Sequence, residues 1–581
     1  MKIRFATDFK TWLDDNRWKP KSLAEKLGVQ RQSVHNWMEG KSLPTNHEVI
    51  ERLYRLGGDN LLLFANPGDK PRIPKSQFAF KVQGKQPLKG QIRIPGSKNG
   101  CLPMMCAALL TKEKCTFRNV PDISDVELLL SIFEFIGASV IWDKTRKIVE
   151  IEAKDLDPLK LKDCPEIRKM RAAILVFGPL LARFGKLQSF QPGGCVLGAR
   201  SSNVHLDGLR DFGAQVSEDD TMITAEFSGK QFKNTRVLLP EASVTGTANL
   251  AMFAAGINDE CELYFTATET HVTETLNMLQ KMGAWIEGIG SHRLKIRGTD
   301  RLRGVDVTIP SDYLLAGTYA IAGVLTSGNL EIQNVNHTEM LSFYAMLKKT
   351  GAQFSFTGDT LRIEGDQGGL QSVGNVKTAI FPGFPTDLQS PFGVLLTQCD
   401  GESIIFETLF ENRLTYLSEL EKMGAKVHIM NAHQAMIKGK TPLKAAQVQS
   451  WDIRAGAAMV LAGLVAEGVT MINNISYIDR GYEKFDENLV RLGAKLERIE
   501  LGLSGSWERV YPFGQIILFV YFLGDLILKY YAGSCRPYFD RSGWSPRGCL
   551  SRAYGEVGFR SSSGYRSGGC PVAKALARSG G

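Results

Sequence analysis

Long apolar runs are scarce in this 581-residue sequence, and so are cysteines in any paired arrangement. One apolar stretch, Ile516 to Leu528, is 13 residues long and is interrupted by Gly524-Asp525. A helix needs about 20 apolar residues to cross a bilayer, so no stable membrane association is expected. Met1-Lys2-Ile3-Arg4 leads into polar residues, not into the apolar segment of a secretory leader. The ten cysteines contain no C-x-x-C pair and no regular framework, which argues against a disulfide scaffold or a thiolate metal site. The expectation is a cytoplasmic protein with reduced, mostly buried thiols, no metal and no cofactor. Charge of one sign is also missing from most of the chain. The formal net charge is +9, but residues 1–77 carry 14 basic and 9 acidic residues, and residues 504–581 carry 10 and 4. The long middle is therefore slightly acidic and is no polyanion-binding surface.

What is present is a soluble globular composition, 43% hydrophobic and 23% charged, on a chain too long for one core. A repeat organises the middle. A helix-like stretch ending in Gly-Ala occurs at Gly137, Gly213, Gly283, Gly351, Gly424 and Gly493, at intervals of 76, 70, 68, 73 and 69 residues. Ahead of each lies an amphipathic pattern, such as Leu414, Leu417, Leu420 and Met423. Glycine takes the left-handed conformation that stops a helix, and a β-prone segment follows at once. Six stops at a nearly constant interval argue for a mixed α/β (α+β) fold of six repeated units. Two groups of three would leave a cleft between two lobes, where small-molecule sites tend to form.

Three groups of residues carry chemistry. Ile94-Pro-Gly-Ser-Lys98-Asn99 stands between a strand-like segment and an apolar helix, and so offers free N–H groups and a lysine to an anion. Gln191-Pro-Gly-Gly-Cys195-Val-Leu-Gly-Ala-Arg200 puts a cysteine in a glycine-rich loop beside a cation, the setting of an accessible thiol on a lid. In the last three repeats, Asp387 follows a proline turn. Arg413, Arg454 and Arg480 each stand near an acid at a similar point of the repeat. Singly these would be surface ion pairs of little weight. Together they point to convergence on one anionic ligand.

Ile-Pro-Gly-Ser-Lys-Asn, Arg-Lys-Met-Arg-Ala, Gly-Pro-Leu-Leu-Ala-Arg-Phe-Gly, Pro-Gly-Gly-Cys-x-x-Gly-Ala-Arg, Phe-Pro-Thr-Asp-x-Gln, Phe-Glu-Asn-Arg and Ile-Asp-Arg-Gly-Tyr-Glu occur in this order. In these motifs the chain resembles the UDP-N-acetylglucosamine 1-carboxyvinyltransferase family of enolpyruvyl transferases, from about residue 77 to about residue 500. The resemblance implies an enolpyruvyl transferase-like fold. One lobe would comprise 77–97 plus 310–500, and the other 98–309 with the Cys195 lid. It implies transfer of the enolpyruvyl group of phosphoenolpyruvate to the 3-hydroxyl of UDP-N-acetylglucosamine, a step of peptidoglycan synthesis and the target of fosfomycin. Cys195 would protonate the methylene carbon of phosphoenolpyruvate, and Asp387 would accept the hydroxyl proton. Lys98, Asn99, Arg200, Arg413, Arg454 and Arg480 would hold phosphoenolpyruvate, with Lys98 and Arg480 also counted as catalytic. Asn99, Arg171, Arg200, Ser201, Ser202, Asn203, Val204, Ser243, Val244, Asp387 and Leu409 would contact the nucleotide sugar. Two departures stand out. Ser201-Ser202-Asn203 replaces the family's usual Pro-Val-Asp, and Ala248 stands where glutamate is common. Both leave room for a paralogue acting on a related nucleotide sugar.

Residues 1–75 do not share this resemblance. Ser22 to Gly40 resembles a repressor-type helix-turn-helix, with Leu23, Ala24, Leu27, Val34 and Trp37 facing inward. Gln30, Arg31, Gln32, Ser33 and His35 would then face a DNA major groove. A small helical bundle that binds protein, or nothing, is the other reading. The tail, 503–581, is rich in glycine, serine and arginine and reads as disordered, without assigned function. Two rivals remain. One is the sister family acting on shikimate 3-phosphate, which lacks the Pro-Gly-Gly-Cys lid. The other is a transcriptional regulator sensing a nucleotide sugar, against which an intact acid and base argue.

Overall fold

The computed structural model describes residues 9, 13, 19–27, 29–39, 78–193, 202–219, 221–229, 235–365 and 367–501. Of the segment read as a small all-α domain, helices α1 (Pro20–Leu27) and α2 (Arg31–Met38) are described. Leu23, Ala24, Leu27, Val34 and Trp37 are buried, as are Phe9 and Leu13. Phe9 meets Trp37 edge-on, with ring centroids 6.0 Å apart. The rest of 1–75 and the whole of 503–581 lie outside the described residues.

From Phe78 onward the chain writes one pattern repeatedly. After β1 (Phe78–Gln83), the first unit runs β2 (Lys89–Arg93), α3 (Lys98–Ala107), β3 (Cys115–Arg118), α4 (Ser124–Phe135), β4 (Ser139–Asp143) and β5 (Ile148–Glu152). The second lacks the leading strand and begins at α5 (Phe177–Phe184), followed by β6 (Lys186–Phe190), α6 (Asn203–Asp211), β7 (Gln215–Glu218) and β8 (Met222–Glu226). The third is β9 (Thr235–Leu238), α7 (Val244–Gly256), β10 (Glu260–Tyr264), α8 (Thr270–Met282), β11 (Trp285–Glu287) and β12 (Arg293–Arg297). The fourth is β13 (Asp306–Thr308), α9 (Tyr313–Leu325), β14 (Asn329–Gln333), α10 (Leu341–Lys349), β15 (Phe354–Thr357) and β16 (Thr360–Ile363). The fifth is β17 (Gly374–Lys377), α11 (Gln389–Gln398), β18 (Gly401–Phe406), α12 (Tyr416–Lys422), β19 (Lys426–Asn431) and β20 (Gln434–Gly439). The sixth is β21 (Gln447–Gln449), α13 (Ile453–Val465), β22 (Val469–Asn473), α14 (Ser476–Asp479), α15 (Phe485–Arg491) and β23 (Lys495–Glu500).

The two helices of a unit differ because their sequences do. α7, α9, α11 and α13 are made of small and apolar residues and are buried along nearly their whole length. The second helix is amphipathic and ends at the Gly-Ala pair. All six of those glycines have positive φ, from +80° at Gly351 to +121° at Gly283. The strand that follows each one is the edge strand of its sheet: β4, β7, β11, β15, β19 and β23. Five sheets have four strands, joined as one parallel and two antiparallel pairs, and the sheet of the second unit has three.

From Phe78 onward, apolar burial among the described residues falls into two separate clusters. One is built from residues between Cys101 and Ile309, the other from Phe80 to Ile94 and from Tyr313 to Leu496. The chain passes between these cores twice, and the passages exchange strands. β2 pairs with β14 of the fourth unit, placing Ile92 beside Ile332, while β13 pairs with β3 of the first, placing Val307 beside Phe117. The two passages also bond to each other. Ser97 N–H donates to Pro310 O at 2.7 Å, and Asp312 N–H to Pro95 O at 3.0 Å. Gly96 is required there, since a Cβ would stand 2.0 Å from Asn119 O. Among the described residues no helix is long and apolar enough to cross a membrane, and no group of three His, Cys, Asp or Glu residues could hold a metal ion.

The glycine stops yield a graded expectation. A Cβ at Gly424 would meet nothing within 4 Å, so Gly424→Ala should lose only the cost of a left-handed conformation, about 1–2 kcal/mol. Gly137→Ala should lose more, because its Cβ would stand 2.6 Å from Asp155 O. Urea unfolding of both variants checks the order; a neutral Gly424→Ala would show that backbone strain is not what fixes these stops.

Candidate active site

The turn Pro95-Gly96-Ser97-Lys98 leaves the second core and starts α3 in the first. Ser97 caps that helix, its Oγ accepting from Gly100 N at 3.3 Å. The cap and the crossing hold Lys98 at the junction. Its Nζ lies 2.8 Å from Asp125 Oδ2, and the opposite oxygen, Oδ1, accepts from Arg480 Nε at 2.8 Å. Asp125 occupies the first turn of α4, where the helix dipole favours an anion. Its side chain is only 3% exposed. Burial pushes that carboxyl upward, but the charges of Lys98 and Arg480 and their hydrogen bonds outweigh it and hold the group below its ordinary range.

A second, half-buried carboxylate repeats this arrangement. Asp387 follows the Phe384-Pro385-Thr386 turn just ahead of α11. Its Oδ1 accepts from Arg413 Nη2 at 2.7 Å, and its Oδ2 from Arg454 Nη2 at 2.9 Å and Nε at 3.1 Å. Burial raises the Asp387 carboxyl; Arg454 and then Arg413 overcome this and hold it far below the usual carboxylate range. Arg454 sits at the start of α13, which Asp452 caps by accepting from Arg454 N and Ala455 N. Of the acids near these arginines, Asp452 caps a helix and Asp479 binds Arg498. Three donors on the Asp387 pair, Arg413 Nε and Nη1 and Arg454 Nη1, are buried without a hydrogen-bond partner. Buried cationic donors left unpaired are costly and mark a place for an anion.

One short segment links both arrangements. Arg480 binds Asp125, while Tyr482, two residues on, lies under the Arg454 guanidinium at 5.3 Å. Glu483 pairs with Lys147 at 2.7 Å, which fastens the segment to the other core. Thr268 Oγ1 donates to Phe381 O at 3.0 Å, a further tie between the cores.

Of the residues read as nucleotide-sugar contacts, Asn203, Val204, Ser243 and Val244 lie with His205 at the N-termini of α6 and α7. His205 approaches Thr245 Oγ1 at 3.2 Å and Asn249 Nδ2 at 3.1 Å, and burial followed by the charge of Arg171 pushes its imidazole down to about 3. Asn203 and Val204 open α6, and Ser243 caps α7 with Val244 as its first residue. Ala248 is buried in the same helix, and Leu409 is half-exposed and gives its N–H to Glu407. The loop holding Cys195, Arg200 and Ser201 lies outside the described residues, as does nothing else of the expected site beyond residue 77. Its described base is fixed: Gly193 N–H donates to Ile167 O, and a Cβ there would stand 2.2 Å from Arg168 O.

Sequence reasoning missed Asp125, Tyr482 and His271. Asp125 reads locally as one more acid at a helix start, and nothing local marks it as buried. His271, near Asp387 and Arg454 at the start of α8, has an unpartnered Nδ1, and burial pushes it down to about 4 against the pull of Asp387. Glu407, fully buried, accepts from Thr378, Thr386, Leu409 and Phe410 and so fastens the Asp387 turn to the segment that leads to Arg413.

Comparison with known proteins agrees with this architecture. The profile of the EPSP synthase (3-phosphoshikimate 1-carboxyvinyltransferase) family matches residues 82–489. A UDP-N-acetylglucosamine 1-carboxyvinyltransferase of Koribacter versatilis is 38% identical over 423 residues, covering 72% of this chain and 96% of its own length. A protein of the same description from Paramagnetospirillum magneticum is 36% identical over 436 residues, covering 73% and 99%. Among solved structures, the enolpyruvyl transferase NikO from Streptomyces tendae shares the fold with a TM-score of 0.65 at 22% identity, over 73% of this chain and 99% of its own.

The double clamp on Asp387 makes a signed expectation. A carboxyl held low in the folded state adds stability that is present above its unfolded value of about 3.9 and is lost as the pH falls through the folded one. Asp387→Asn also leaves two buried arginines without their anion, for which about 3–5 kcal/mol is typical. The 23% exposure of Asp387 favours the lower end. In urea unfolding, the variant should be weaker at pH 7 and the gap should narrow at pH 3. A gap that is equal at both pH values would count against the clamp.

Proposed function

The chain belongs to the enolpyruvyl transferase family, and on that premise we propose that it transfers the enolpyruvyl group of phosphoenolpyruvate to the 3-hydroxyl of UDP-N-acetylglucosamine, releasing phosphate. The reaction would be the first committed step of peptidoglycan synthesis, carried out in the cytoplasm. The observation that carries this reading is the convergence of Lys98, Arg413, Arg454 and Arg480 on two carboxylates, one buried and one half-buried, with further donors of Arg413 and Arg454 unpaired beside them. Each carboxylate is shared by two cations, and the unpaired donors of Arg413 and Arg454 suit a phosphate or carboxylate ligand.

In this reading 77–97 plus 310–500 and 98–309 act as two lobes around the substrates. Arg171, Ser202, Asn203, Val204, Ser243, Val244 and Leu409, with Ser201 on the loop, hold the nucleotide sugar, and Asn99 reaches both substrates. Lys98, Arg200, Arg413, Arg454 and Arg480 receive phosphoenolpyruvate. The sugar oxygen bonds to C2 of phosphoenolpyruvate and gives its proton to Asp387, while Cys195 protonates C3. The C2–O bond to phosphate then breaks as the phosphate takes the proton held by Asp387, C3 returns a proton to the Cys195 thiolate, and the enol ether and phosphate leave. A clamped Asp387 is a weak base. A phosphate dianion that draws Arg413 and Arg454 toward itself loosens the clamp and raises that basicity, so the base is strengthened only when the second substrate is present.

Phosphate release from a mixture of the two substrates is expected from the full-length protein and should fall at least a thousandfold in Cys195→Ala. Equal rates in the two proteins would remove the enzyme reading. A second activity is proposed for residues 1–75. Gln30, Arg31 and Gln32 are exposed at the start of α2, with Val34 and Trp37 turned inward, as a DNA-reading helix requires. Gel-shift selection on random duplexes should enrich a motif with the full chain and not with a chain lacking residues 1–75; identical enrichment from both would end this reading.

A further inference from the structure

Asp125 holds none of the roles that the resemblance carries to this chain, yet two of those roles are fastened to it. Its carboxylate is nearly sealed from water, and each of its oxygens is taken by a different cation: Lys98 Nζ at 2.8 Å and Arg480 Nε at 2.8 Å. Lys98 and Arg480 carry like charge and would separate if the anion between them were removed. A carboxylate this deeply buried also needs both of them, since losing one leaves an uncompensated charge. The pair therefore stands at a spacing set by the width of one carboxylate, the width at which two cations can share one phosphate or carboxylate group of a ligand.

The same group spans the two cores. Asp125 lies on α4 in the first core, and Arg480 follows α14 in the second. The neighbours of Arg480 repeat the crossing: Ser124 Oγ reaches Asp479 O at 3.5 Å, and Lys147 binds Glu483. We propose that Asp125 is a positioning residue of the transfer site, fixing Lys98 and Arg480 side by side as one anion-binding pair and tying the two cores together through it. This deepens the transferase reading and rests on it.

The test uses the full-length protein, Asp125→Asn and Asp125→Glu, with steady-state kinetics for both substrates and thermal unfolding in parallel. Asp125→Asn should raise KM for phosphoenolpyruvate at least tenfold and change KM for UDP-N-acetylglucosamine less than threefold. Asp125→Glu keeps the charge and should recover part of the loss. If the asparagine variant does not fold, the glutamate variant decides: near-native unfolding with KM for phosphoenolpyruvate at least threefold higher supports the role. An unchanged or lowered KM for phosphoenolpyruvate would overturn it, making Asp125 a competing counter-ion only. So would equal changes in both KM values, the mark of a merely structural residue. If the unaltered protein releases no phosphate, the transferase reading fails by itself. Calorimetric titration with phosphoenolpyruvate then tests Asp125: tenfold weaker binding in the variants supports the role, and equal or tighter binding overturns it.

Discussion

A carboxylate taken out of water between two cations cannot release either one unless something of equal charge takes its place. That constraint acts twice here, at Asp125 and at Asp387, and Tyr482 and Arg480 place the two instances within one short segment. The four cations are thereby held in place by these two anions. The cations are not free to fold back on the surface, because each is held by a carboxylate. What a ligand must supply is a second negative group for a site already ordered around the first, which is pre-organisation in the sense that reduces the cost of binding.

The fold makes this arrangement possible through where its helices begin. Lys98, Asp125, Val244, His271 and Arg454 all lie in the first turn of a helix, and Asp387 lies in the short turn that leads into one. Ser97, Ser243, Asp312 and Asp452 cap the buried helices α3, α7, α9 and α13 in the same manner. Four of the six units thus deliver a similar local geometry at these starts, and different residues there place different groups around the proposed site. Glycines within α9, α11 and α13 (Gly317, Gly393 and Gly456) let Leu388, Tyr416 and Ser450 approach these helices closely.

Much of this was legible in the chain. The Gly-Ala interval marked six helix stops, and at all six the backbone takes the positive φ that glycine permits. The amphipathic residues Leu414, Leu417, Leu420 and Met423 are buried as their spacing implies. The cationic motifs also pointed to convergence. Illegible were the partners: Arg480 and Asp125 are 355 positions apart, and no period or local spacing encodes such a pair. The strand exchange between the first and fourth units escaped for the same reason. β2 and β13 each look like the opening strand of their own unit, and only the paired edges reveal that each completes the other's sheet.

That exchange has a consequence for the order in which the protein can assemble at the ribosome. The sheet of the first unit lacks its parallel edge until β13 emerges, some two hundred residues after β2. β2 in turn has no partner until β14 is made, and β1 waits still longer, since its neighbours β22 and β23 are the last elements of the fold. The earliest strands to be synthesised are thus among the last to be paired. For most of translation they are exposed edges of the kind that recruit other chains. Lys81, Lys85, Lys89 and Arg93 space positive charge along that waiting segment, the substitution pattern that keeps an orphan strand from finding the wrong neighbour.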